Sequence, residues 1–384
     1  MAKVKITGHA SGSGVLTVTA PNTSTNRTIT LPDATGTLLN SDGNGSSLTS
    51  VRAVNTGRKN IIINGDMQVA QRATTSTATG CKTVDRWQMG ANVGVTQSHL
   101  ALTSGAAYDA GFRSAFKLTN TGAIDTTASQ YVSCFQNIEA QDLAKSGWTY
   151  KSSSSSITIS FWIKSSVAGT YYVNPMSQDG TKKVYPQSFS LNANTWTKVE
   201  KTYVGVSSLT FANDTGNGMQ LHISPFYGTN FTNSSVSTSA WSDYGSATRF
   251  PDYAQNWGAS TGATWEITGV QLELGSVATD FDHRSIGEEL ALCQRYYEQM
   301  TAGGKLWFYL VAGAGDNGLH GAYARSGIWF RTTKRANPTF SFTRNNSTGS
   351  SEGTQFISTQ GVTAFLNGAD AVSEITAWFA DSEL

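Results

Sequence analysis

The chain has 384 residues and a formal net charge of +1, from 27 Lys and Arg against 26 Asp and Glu. Charged residues are only 14% of it, against roughly 25% in ordinary soluble domains, and no basic block is present to neutralise phosphates, which argues against nucleic-acid binding. With 38 Gly, 7 Pro and abundant Ser and Thr, the composition describes turn-rich stacked sheets, and a mainly β chain of two or three domains is expected.

Residues 1–58 read as a short N-terminal β stalk. Segments 14–20 and 28–32 alternate apolar residues with Thr, at the period of a strand, around a turn at 22–26. Two strands bury too little to stand alone, so copies of the same segment are the expected partners. Residues 59–283 are expected to form a jelly-roll-like antiparallel β-sandwich. Segment 156–163 puts Ile157, Ile159, Phe161 and Ile163 on one face and Thr158, Ser160 and Trp162 on the other. Segment 218–223 alternates likewise, and 197–203 and 265–273 are further strands. The runs 171–173 and 183–185 flank Gln178-Asp179-Gly180-Thr181, where Asp-Gly marks a hairpin turn.

One short helix is expected over 284–300. Ser285 and Glu288 have capping-box spacing. Ile286, Leu290, Cys293 and Tyr297 follow at steps of 4, 3 and 4, a narrow seam of the a/d kind. A narrow seam of this kind serves self-association more often than docking, so a trimeric collar between domains is expected, with packing on the chain's own sandwich as the alternative. Short β runs at 306–311, 327–330, 338–342 and 377–379 make 301–384 a smaller C-terminal β tip domain.

Chemistry-bearing constellations are sparse. The three cysteines, Cys81, Cys134 and Cys293, are odd in number and widely spaced, so free thiols are expected. None of the five histidines belongs to HExxH or has close ligand spacing, so neither a metal nor a cofactor is expected. Asp280-Phe281-Asp282-His283 has the DxxH spacing of SGNH-type esterases, but Gly65-Asp66-Met67 carries Met where the nucleophilic Ser would stand. No catalytic residue emerges, and the chain is read as non-enzymatic. A pair of glycosidase carboxylates cannot be selected from sequence. The start lacks the apolar core of a signal peptide, and no apolar run reaches the ~20 residues of a membrane helix, so membrane insertion is not expected.

The stretch 226–257 holds eight aromatics in 32 residues, Phe226, Tyr227, Phe231, Trp241, Tyr244, Phe250, Tyr253 and Trp257, without a strand period. Rings above short polar side chains suit sugar rings, whose CH faces stack while their hydroxyls bond the neighbours. Trp241, Tyr244, Tyr253 and Trp257, with Asp243 and Asp252, are therefore candidate carbohydrate contacts. The rings could also serve as the small core of a long loop or a subunit contact.

Gly14-Val15-Leu16-Thr17-Val18-Thr19-Ala20-Pro21-Asn22-Thr23 with Arg27-Thr28-Ile29-Thr30-Leu31-Pro32-Asp33-Ala34-Thr35-Gly36-Thr37-Leu38-Leu39 resembles a segment near the start of phage tail-fibre proteins. Asn60-Ile61-Ile62-Ile63-Asn64-Gly65-Asp66-Met67, Gln71-Arg72 and Asp85-Arg86-Trp87 resemble the opening of their β-sandwich. Val270-Gln271-Leu272-Glu273-Leu274-Gly275-Ser276 and Glu289-Leu290-Ala291-Leu292-Cys293-Gln294-Arg295-Tyr296-Tyr297 resemble its closing strand and the helix beyond. Only residues 330–339 in the C-terminal part resemble the tips of such fibres.

The resemblance implies a virion component, made in the host cytoplasm and released by lysis. It implies a homotrimer whose sandwich is similar to carbohydrate-binding modules. The N-terminal part would join another phage tail protein, and the outer part would bind a host surface glycan such as lipopolysaccharide. A structural adaptor that binds only other phage proteins is the alternative.

Overall fold

The computed structural model describes residues 59–122, 128–300, 306–309, 323–345, 351–367 and 372–384. The chain divides into Met1–Val51 and Arg52–Leu384, and the strands expected within 1–58 lie outside the described residues.

The sandwich is two antiparallel sheets. One has six strands in the order Thr75–Ser76, Val95–Ala101, Ser114–Asn120, Thr264–Leu274, Ser156–Ser165 and Thr197–Val204. The other has eight. Phe226–Tyr227, Tyr131–Glu139, Asn217–Ser224, Gly169–Ser177, Lys183–Val184 and Ser242–Asp243 run in that order, with Trp87–Ala91 added to Tyr131–Glu139 and Gln187–Leu191 to Gly169–Ser177.

Alternation decides what is buried between them. Ile157, Ile159, Phe161 and Ile163 are wholly buried from the first sheet, as are Met219, Leu221 and Ile223 from the second. Each such side chain contributes roughly 1.5–3 kcal/mol by leaving water. The strand Thr264–Leu274 changes parity midway. A bulge between Thr268 and Gln271 turns Trp265, Ile267, Val270 and Leu272 all inward. Gly269 makes this possible, since it sits at φ 62° and a Cβ there would meet the Phe112 ring at 2.5 Å. The polar ends of core aromatics are satisfied across the sandwich: Trp265 Nε1 donates to Ile223 O at 3.0 Å and Tyr203 Oη to Val173 O at 3.1 Å. Cys81, Cys134 and Cys293 are buried free thiols.

The helix spans Ile286–Gln294 and opens with the expected capping box, Ser285 and Glu288 serving each other's backbone N–H. It stops short of the expected end at 300. Tyr297–Met300 is instead a strand, paired in register with residues 378–381 of Val372–Asp381. Four ladder pairs there replace the last helical turn. Of the seam, only Ile286 faces outward, at 56% exposure. Leu290 and Cys293 pack against Ile63, Val69 and Tyr296 of the same chain, and Tyr297 lies in the strand.

Beyond the helix, Tyr297–Met300, Val372–Asp381, Leu306–Tyr309 and Thr339–Asn345 form a four-stranded sheet. Tyr323–Trp329, Gly361–Asn367 and Ser351–Gln355 form a three-stranded one. Ile328, Val362 and Ala364 from the latter meet Ile375, Trp378 and Ala380 from the former in a second core. This part is not a bead on a string. Residues 382–384 return to the sandwich, where Leu384 O accepts from Asn137 Nδ2 at 2.8 Å and Gln88 Nε2 at 3.1 Å.

Candidate functional site

Because Met219, Leu221 and Ile223 point inward, Gln220 and His222 stand on the outer face of the eight-stranded sheet. The aromatic stretch folds over that face. Phe250, wholly buried, stacks on Tyr227 at 4.7 Å and meets His222 edge-on, while Phe135 stacks on His222 from the other side. Asn174 Nδ2 donates to Arg249 O at 2.7 Å and ties the loop to the sheet. Burial first, then the nearby Arg249 charge, pulls His222 down to about 3, so its ring is neutral at physiological pH. Tyr227 Oη lies 3.3 Å from Nδ1 and Gln220 Oε1 3.2 Å from Nε2, a network that assigns the proton to Nε2.

The candidate sugar contacts separate into two groups here. Trp257 is wholly buried in the sandwich core and donates to Thr264 O, so it has no face to offer a ligand. Tyr253 and Trp241 are half-buried wedges against that core, with their polar atoms bonded to Ser224 O and Val204 O. Asp252 accepts from Thr232 Oγ1 at 2.7 Å. For these residues the packing role prevails, because a long loop needs its own core. Tyr244 and Asp243 differ. Lys182 Nζ lies 6.0 Å and Arg249 Cζ 5.5 Å from the Tyr244 ring centroid, and the exposed Asp243 carboxylate pairs with Lys183. A phenol ring with cations beside it and a carboxylate at the rim can hold a hydroxylated or anionic ring. Lys182, Lys183 and Arg249 carry no signal in the sequence, since only the hairpin and the loop crossing bring them to Tyr244.

The strongly perturbed acids lie elsewhere, at the sandwich opening. Asp66 is pushed up to about 6, by burial and then by the charge of Glu289. Asp85 is also pushed up to about 6 by burial, against the pull of Arg72. The sign follows from the raised value. Asp66 contributes its full stability below the unfolded pKa of about 4, and that contribution is lost as pH rises through about 6. Asp66→Asn is therefore expected to raise the unfolding free energy at pH 8 by about 1–2 kcal/mol, after discounting for partial exposure, and to leave it unchanged at pH 4. Urea unfolding at the two pH values measures this.

Among the described residues, no group of three His, Cys, Asp or Glu could hold a metal ion, and no helix is long and apolar enough to cross a membrane.

No protein-family model and no curated protein matches the chain. Solved structures show partial likeness. The enzymatically active domain of tailspike protein 4 from bacteriophage CBA120 is 12% identical over 56% of this chain, with a TM-score of 0.31, and the match spans only 21% of that domain. A putative sugar binding protein from Bacteroides thetaiotaomicron is 15% identical over 56% of this chain and 100% of its own, with a TM-score of 0.30. The tripod from the baseplate of bacteriophage Tuc2009 is 11% identical over 70% of this chain and 82% of its own, with a TM-score of 0.24. Identities this low leave the chemistry of the site to be read from its own residues.

Proposed function

We propose that the chain is a non-enzymatic attachment component of a phage tail, a fibre that works as a homotrimer and holds host surface glycans such as lipopolysaccharide. Its N-terminal part would join another tail protein. The observation that carries this reading is where the tail-fibre-like segments meet. Segments 60–67, 85–87, 270–276 and 289–297 are far apart in sequence, yet they converge on Asn64. Its side chain donates to Val69 O and Asp85 O, its carbonyl accepts from Trp87 Nε1, and its N–H donates to Glu289 Oε1. Next to it, Val270 N donates to Gly65 O at 2.9 Å. Together these segments mount the helix and the C-terminal sheets on the sandwich. A rigid mount of that kind suits a fibre that must transmit load while its surfaces hold ligand.

Single sugar contacts of the Tyr244 kind are weak, and three linked copies can gain 10²–10⁴-fold in avidity. The full chain is expected to sediment as three copies and to bind glycans from a host-surface panel. A monomer at micromolar concentration would remove the avidity argument. Sustained release of reducing ends from host polysaccharide would overturn the non-enzymatic assignment. The adaptor alternative draws on one observation, that most rings of 226–257 are taken up by packing. Tight binding to a phage tail with no response on the glycan panel would favour it.

A further inference from the structure

Among the described residues, Trp329 and Phe356 are the most exposed large apolar side chains, at 78% and 79%. Neither is there by default. In the three-stranded sheet, Thr354 pairs with Ala364 and Gln355 with Thr363, and Ala364 and Val362 are buried. Simple alternation would therefore turn residue 356 inward, opposite Val362. Instead Phe356 adopts φ 52°, a left-handed conformation unfavourable for any residue with a Cβ. The effect is to put Ile357 against the core and Phe356 in solvent. A large ring is thus exposed at a left-handed residue where plain alternation would have turned it toward the core. Such outliers cluster at ligand contacts.

Trp329 pairs with Gly361 on the neighbouring strand. A Cβ at Gly361 would lie 3.3 Å from Trp329 Cε3, and one at Gly327 would lie 3.5 Å from its Nε1. The indole therefore leans over two positions without side chains. Gly361 belongs to the central strand, so Trp329 on one flanking strand and Phe356 just past the other lie on either side of it, with Thr363 the next outward position. Gln360 and Arg331 are exposed nearby in the chain and supply amide and guanidinium groups, while the Ser358 hydroxyl is spent on the turn, donating to Gly361 O.

The geometry points to a carbohydrate subsite on this sheet: one pyranose stacked on Trp329, the next reaching Phe356, with hydroxyls bonded by the polar neighbours. A second protein copy fits less well. Two rings offer roughly 150–250 Å² each, well short of the ~800 Å² per partner in a stable protein interface. A sugar needs only one ring face and adjacent polar groups. This inference rests on the glycan-binding reading above and assigns it a location separate from Tyr244.

The test uses the full chain labelled with 5-fluorotryptophan, the Trp329 resonance being assigned with Trp329→Phe. Methyl pyranosides and short oligosaccharides of glucose, galactose, N-acetylglucosamine and rhamnose are titrated in. A saturable shift of the Trp329 signal is expected, unaltered in Tyr244→Ala. Phe356→Asn should weaken it about tenfold without lowering the thermal midpoint, because Asn tolerates the left-handed backbone. Sugar binding detected by calorimetry with the Trp329 signal unmoved overturns the subsite and leaves the glycan reading standing. A Trp329 shift that follows protein concentration without sugar overturns it in favour of self-contact. No binding of any sugar by either method removes both.

Discussion

Asn64→Ala is expected to lower the unfolding free energy by about 4 kcal/mol, one of the two largest effects foreseen for a single substitution in this chain. Asn64 is wholly buried at φ 56°, a conformation Asn tolerates and Ala does not. Its amide donates to Val69 O at 2.8 Å and Asp85 O at 2.9 Å, and its Oδ1 accepts from Val69 N at 3.0 Å. Removing the amide leaves Val69 N and Asp85 O without their partner, each costing about 1 kcal/mol or more, while Val69 O keeps the Asp85 N–H at 3.0 Å. Asn64→Gly separates the two causes, since it keeps the backbone conformation and loses only the bonds. It should fall between wild type and Ala in urea midpoint. A loss below about 1 kcal/mol for Ala would show that the segments do not depend on this junction.

The same junction shows what is legible in the sequence and what is not. Strands with strict alternation are readable because their period reports burial directly. Segment 156–163 has all four predicted inward side chains wholly buried, and the Asp-Gly turn joins Gly169–Ser177 to Lys183–Val184 with Met176 opposite Val184. The capping box is readable because its partners are three residues apart. The end of the helix is not. Steps of 4, 3 and 4 continue through Tyr297, yet residues 297–300 gain more as a strand edge beside a segment some 80 positions later. Trp257 departs from expectation for a related reason. Composition marks a stretch as aromatic, but burial depends on which sheet the loop crosses. The outward turn at Phe356 is a backbone event that no side-chain pattern announces.

Glu383→Ala is expected to cost about 3–5 kcal/mol, because it leaves two buried guanidinium groups short of their carboxylate. Arg86 is wholly buried, pairs with Glu383 through Nη1, donates from Nη2 to Asn137 O at 2.6 Å and lies 3.4 Å over the Tyr296 ring. Arg72 lies 3.7 Å over the Tyr297 ring and reaches Glu383 at 3.2 Å and Asp85 at 3.4 Å. Burial alone would raise the Glu383 carboxyl, but Arg86 and Arg72 outweigh it and hold the group below its ordinary range. A depressed carboxylate contributes stability above its unfolded pKa of about 4 and loses it as pH falls through the folded value. The gap between wild type and Glu383→Ala should therefore be full at pH 7 and close on acidification below about pH 4. Asp66 and Asp85 act in the opposite sense, contributing fully below about pH 4 and losing that contribution as pH rises through about 6. These groups together place the stability optimum near about pH 4, with a fall from there to above about pH 6. Glu383→Gln keeps the shape without the charge and is expected to lose about half as much. Because this network fastens residues 382–384 to the sandwich, Glu383→Ala should also let the C-terminal sheets unfold ahead of it. Two separate urea transitions at pH 7, one for each β-part, are the expected result. A single unshifted transition would mean that the ladder between Tyr297–Met300 and Val372–Asp381 holds the joint without the buried charges.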